Sequence, residues 1–134
     1  MERTRESRTL TVRIERAPTE VAAFVAEPAN LPRWASGLGD TLERIGGRWI
    51  VRTPQGPMTL RFAAQNALGV LDHDLTPVDG GDPIHVSMRV IPNGGGSEVL
   101  FTLVRAPGMT DAQFEQDAAC VRRDLDTLRH VMDP

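Results

Sequence analysis

Residues Thr110–Met132, TDAQFEQDAACVRRDLDTLRHVM, decide how the rest of the chain is read. Thr110 with Gln113 three residues on is a capping-box pattern, and Pro107-Gly108 stands just upstream. Phe114, Ala118, Val121, Leu125, Leu128 and Met132 then recur at alternating steps of four and three. That spacing draws one apolar stripe along a helix of about twenty residues, about 30 Å long. Cys120 lies beside the stripe and reads as a small core filler rather than a nucleophile.

Upstream of this helix the pattern changes. From Thr41 to Pro107 the sequence reads as strands and turns: Thr41–Ile45, Arg48–Thr53, Pro57–Ala64, Gly69–Thr76, Ile84–Ile91 and Ser97–Arg105. Gly46-Gly47, Pro54-Gln55-Gly56, Gln65–Leu68, Pro77–Pro83 and Pro92–Gly96 separate them, and connections this short predict an antiparallel meander. At the other end, Thr9–Glu15 alternates with Leu10, Val12 and Ile14 on one face, which predicts a half-buried strand. A helix follows, with Thr19 as its expected N-cap and Val21, Phe24 and Val25 on one face; Pro28 stops it. Asn30–Trp34 reads as a second short helical turn with Leu31 and Trp34 inward.

Composition limits what this architecture can do. The chain has 134 residues, 40% of them hydrophobic and 25% charged, with a net charge of −3. Residues 1–8 form a charged tail and 9–134 one expected globular domain with a core of its own. The acidic balance gives no electrostatic case for nucleic acid, and no apolar run is long enough to insert in a membrane. The opening MERTRESR has no apolar run behind it, so a cytoplasmic location is expected. One cysteine excludes an internal disulfide and a cysteine-rich zinc site. All fifteen basic residues are arginine and there is no tyrosine, which removes lysine and tyrosine chemistry altogether. No cofactor signature is present, and the three histidines show no metal-ligand spacing. Gly94-Gly95-Gly96 reads as a hairpin turn rather than a phosphate loop, since no helix follows it.

The strand registers single out His73. Pairing Phe62 with His73 and Leu60 with Leu75 sets Arg61 against Asp74 on the opposite face. Pairing Met88 with His73 sets Arg89 against Asp72. Leu60, Phe62, Leu71, His73, Leu75, Val86, Met88 and Val90 then share one face, apolar but for His73, which is expected to be the concave face. Asp72 and Asp74 point outward to arginines and are not a catalytic carboxylate pair. His73 has two readings: a general acid or base inside a cavity, or a buried neutral ring bonded to a backbone carbonyl or water. Trp49, with Val51, falls inward if Arg48 and Arg52 point out. His85 is expected outside with Ser87, and His130 in the last turn of the helix.

The order strand, two short helices, six strands and a long C-terminal helix is that of the helix-grip fold. The chain resembles the START-like (SRPBCC) superfamily, in particular its small bacterial polyketide-cyclase/dehydrase-like and lipid-transport-like members. Thr11–Trp34 (TVRIERAPTEVAAFVAEPANLPRW), Gly69–Leu75 (GVLDHDL), Met88–Leu103 (MRVIPNGGGSEVLFTL) and Arg105–Leu128 carry the resemblance. It implies an α+β fold, a seven-stranded antiparallel sheet wrapped around the last helix, with the first strand and Thr41–Ile45 as its edges. It implies a cavity between sheet and helix with Trp34 near the mouth, where the short helices lie. The expected cavity residues are Trp34, Trp49, Phe62, His73, Met88, Phe101 and Phe114, with His73 the one catalytic candidate and no cofactor. The expected function is binding of a small hydrophobic or aromatic ligand, polyketide- or lipid-like, by a monomer or homodimer. Two alternatives stand beside it: a cofactor-independent cyclase or dehydratase using His73, and a protein-interaction module with a closed core. Members span all of these activities, so the fold alone does not choose among them. The chain is shorter than dedicated polyketide cyclases and lacks the inserts that enlarge their cavity.

Overall fold

The computed structural model describes residues 2–35, 42–53 and 55–133. Strand β1 (Ser7–Ile14) leads into α1 (Pro18–Ala26) and a 3-10 segment (Pro28–Arg33). Six strands follow: β2 (Leu42–Ile45), β3 (Arg48–Thr53), β4 (Gly56–Phe62), β5 (His73–Pro77), β6 (Ile84–Asn93) and β7 (Gly96–Val104). Helix α2 (Asp111–Met132) closes the chain. The sheet runs β1-β7-β6-β5-β4-β3-β2 with every pairing antiparallel, so β1 and β2 are its edges. This is the helix-grip architecture expected from the sequence. Thr41 and Pro54, placed by the sequence in an edge strand and a turn, lie outside the described residues.

Turn chemistry sets the hairpins. Gly46 and Gly47 both have positive φ, 59° and 79°, between the directly paired Ile45 and Arg48. A two-residue turn of that kind matches the right-handed twist of its strands and excludes side chains that resist positive φ. Helix α1 begins at Pro18 with Ala17 as its N-cap, two residues before the expected Thr19, and no side chain caps it. Proline suits that first position because its φ is already helical and its missing N–H would have had no partner. Thr110 and Gln113 form the capping box of α2 as expected.

Helix α2 lies chiefly on β1, with lighter contact to β7. Phe114, Ala118, Leu125, Leu128 and Met132 are buried, and Leu125 and Leu128 are wholly enclosed. Each such leucine is worth about 2–5 kcal/mol against alanine. Val121, the remaining member of the stripe, is only half-buried. Arg8 fixes the helix to β1 through two bonds to Glu115, at 3.0 and 2.6 Å, and Arg122 bonds the Thr11 carbonyl at 2.8 Å. The helix is thus held toward the β1 side, and the concave face of β5 and β6 is left partly uncovered.

Candidate functional site

His73 opens β5, and the chain just before it is shaped to deliver it. Gly69 has φ 74°, and a Cβ there would stand 2.1 Å from the Val90 carbonyl oxygen. Val90 N–H bonds Gly69 and Leu71 N–H bonds Met88, both at 2.9 Å, so this stretch is fastened to β6 although β5 proper starts only at His73. His73 pairs with Phe62, Leu75 with Leu60 and Asp74 with Arg61, as the alternation required. On the β6 side the expected register is corrected: His73 faces Val86, not Met88, and Asp74 faces His85. A slip of two residues leaves every side chain on its expected face.

On the outer face this slip changes the ion pairs. Asp74 is bonded by His85 Nδ1 at 2.7 Å rather than by Arg61. Asp72 accepts from the Met88 N–H at 2.9 Å, with His85 Nε2 at 3.6 Å and Arg89 Nε at 3.9 Å. The bond to Asp74 raises the His85 pKa; burial opposes it, and both carboxylate charges add to the rise.

On the concave face His73 is 4% exposed, and its ring centroid lies 4.8 Å from that of Phe62. Burial is the main cause of a lowered pKa, only partly offset by the Leu71 carbonyl and the two aspartates, so the ring is neutral near pH 7. Nδ1 lies 3.0 Å from the Leu71 carbonyl oxygen, which can only accept; Nδ1 therefore carries the proton and Nε2 the lone pair. No described residue donates to Nε2.

A pocket of about 710 Å³ opens between this face and α2. His73, Leu75, Val86, Phe101 and Leu103 form its sheet wall, Trp34 and Ala35 one end, and the loop Ala106–Met109 its rim. Helix α2 contributes a second stripe: Gln113, Gln116, Asp117, Cys120, Val121, Asp124 and Leu125. Burial raises the Asp117 pKa. The buried indole N–H of Trp34 meets no acceptor among the described residues.

Of the seven expected cavity residues, the structure brings Trp34, His73 and Phe101 to this pocket. The other four lie outside its lining. Trp49 is half-buried under the Arg44 guanidinium, 5.5 Å from the ring centroid. Phe62 backs His73, Met88 is fully enclosed opposite Phe101, and Phe114 is held between Arg8 and Arg105 at 5.1 and 5.9 Å. The pocket carboxylates Asp117 and Asp124 were missed. Their signal was a polar row at i, i+3 and i+7 through Cys120, directly beside the apolar stripe.

Among the described residues no group of three His, Cys, Asp or Glu could hold a metal ion, and no helix is long and apolar enough to cross a membrane. No family model and no curated protein matches the chain. Solved structures do match over nearly its whole length. The protein XoxI from Bacillus cereus superposes with a TM-score of 0.70 at 13% identity, covering 94% of each chain. The Aha1 dimer from Colwellia psychrerythraea gives a TM-score of 0.70 at 12% identity over 96% of each chain. DynU16, from the dynemicin biosynthetic locus, gives 0.67 at 15% identity, over 92% of this chain and 46% of its own. At such identities the likeness establishes the helix-grip fold and nothing finer.

Proposed function

We propose that the protein binds a small hydrophobic or aromatic molecule, polyketide- or lipid-like, between the concave sheet face and α2. The observation that carries this reading is the pocket itself. Its volume falls within the usual range of small-molecule sites, and its walls are apolar with a few convergent polar groups. The structural likeness to DynU16, a protein of a natural-product locus, agrees with such a ligand. A closed-core interaction module would need this space filled, and the placement of α2 against β1 leaves it open.

Native mass spectrometry of protein recovered from its own host, repeated after organic extraction, tests the reading. A reproducible mass excess that disappears on extraction is expected and would identify the ligand. A clean apo mass with no uptake from aromatic and fatty compounds would overturn it.

A second reading is favoured by one observation, the unprotonated Nε2 of a neutral His73 on the pocket wall. In this reading that nitrogen acts as the general base of a cofactor-independent cyclization or dehydration, with the pocket holding the substrate folded. Turnover of an extracted ligand that ends in His73→Leu while binding persists would establish it. Turnover unchanged in that variant would exclude His73 as the base.

A further inference from the structure

We propose that the pocket selects hydrophobic molecules that are neutral or cationic and carry a hydrogen-bond donor, typically a phenolic hydroxyl, and that it disfavours anions of the same shape. The inference rests on the pocket reading above and names its ligand class. Three observations carry it. His73 is nine-tenths buried on the pocket wall, and its Nδ1 is committed to Leu71, so Nε2 offers the ligand only an acceptor. Asp117 lines the same pocket from α2 and brings a carboxylate to it. Among the described residues no arginine lines the pocket, and the chain contains no lysine.

The nearest cations do not change this balance. Arg105 at the rim is committed to the Met109 carbonyl, Glu6 and Asp111. Arg123 is exposed and reaches only the Sγ of Cys120, at 3.6 Å, without joining the lining. A carboxylate or phosphate entering the pocket would lose water and meet the Asp117 carboxylate and a lone pair, while the described lining offers it neutral amide donors but no cation. A phenol entering it would exchange a bond to water for one to Nε2 in surroundings that strengthen it.

Equilibrium dialysis at pH 7 with four naphthalene probes tests this: 2-naphthol, 2-methoxynaphthalene, 2-naphthylmethylammonium and 2-naphthoate. The wild type is expected to hold 2-naphthol about tenfold more tightly than its methyl ether, the worth of one hydrogen bond. 2-Naphthoate is expected to be the weakest and the ammonium probe to bind better than it. His73→Leu should level 2-naphthol with its ether. Asp117→Asn, a substitution at a half-buried helix position that keeps the fold, should narrow the handicap of 2-naphthoate. Preference for 2-naphthoate over 2-naphthol, or equal binding of 2-naphthol and its ether by the wild type, would overturn the inference and leave the pocket reading standing. Binding of none of the four at about 1 mM would overturn the pocket reading itself.

Discussion

Arg105 donates two hydrogen bonds to a single acceptor, the carbonyl oxygen of Met109, from Nε at 3.1 Å and from Nη2 at 2.8 Å. Its Nη1 meets Glu6 at 3.0 Å and Asp111 at 2.6 Å. One side chain therefore ties the end of β7 to the N-terminal segment, to the first turn of α2 and to the loop between. That loop, Ala106–Met109, is the rim of the pocket. Arg105→Ala is expected to speed amide exchange across residues 106–109 while leaving the protection of β6 unchanged. Lysine should not rescue it, because one ammonium cannot span the fork that reaches both carbonyl and carboxylates. Unchanged exchange at the rim would show that the loop holds its shape without the arginine.

Gly69 shows what the approach to His73 requires of the backbone. Its φ of 74° is unfavourable to other residues, and an added Cβ would collide with the Val90 carbonyl. Gly47 has a similar φ, 79°, with nothing within 4 Å of such a Cβ. Gly47→Ala should therefore show backbone strain alone, about 1 kcal/mol, and Gly69→Ala at least about 2 kcal/mol more through the lost strand contact. Urea midpoints measure both. Equal losses would mean that β6 yields easily at Val90.

Thr110 connects the helix cap to the pocket. Its hydroxyl accepts from the Gln113 N–H at 3.1 Å, and the Gln113 side-chain oxygen accepts from the Thr110 N–H at 2.9 Å. Gln113 also lines the pocket, so the cap fixes the orientation of its amide. Thr110→Ala is expected to cost about 1 kcal/mol in chemical denaturation. A cost near zero would mean that solvent replaces the cap.

The faces of the sheet were legible because alternation is strict: Leu60, Phe62, His73 and Leu75 can turn to the core together in only one parity. Registers were less secure. The Phe62–His73 pairing followed from alternation on both sides of Gln65–Leu68, and the structure has it. The β5–β6 pairing ran two residues off because the Pro77–Pro83 connection is long, and a slip of two preserves the pattern that was being read. That slip is why His85 stands opposite Asp74 on β6, while Arg61 stands opposite it on β4 as expected. The pocket was legible only on its sheet side. Periodicity in α2 locates the residues that reach the core, but it does not say how far across the sheet the helix lies. Asp117 and Asp124 line a pocket because α2 sits on β1, a consequence of tertiary contacts such as Arg8–Glu115.

His73 and His85 lie on opposite faces of the sheet with opposite electrostatics, and the dependence of stability on pH should reveal both. His73 has a lowered pKa, so between the ordinary histidine value of about 6.5 and its folded value the unfolded chain binds the proton and the native one does not. Stability is then lost as pH falls below about 6.5, until the folded ring is itself protonated. His85 has a raised pKa, so its contribution is complete below about 6.5 and disappears as pH rises through the folded value. This second limb is the shallower, since His85 is exposed and solvent screens its pair with Asp74. Together they place a maximum of stability near pH 6.5, read as urea midpoints from pH 5 to 8. His73→Leu should flatten the acid limb and His85→Gln the alkaline one, each leaving the other intact. An acid limb that persists in His73→Leu would assign it to a carboxylate instead, with Glu115, whose pKa its bond to Arg8 lowers, the first to test.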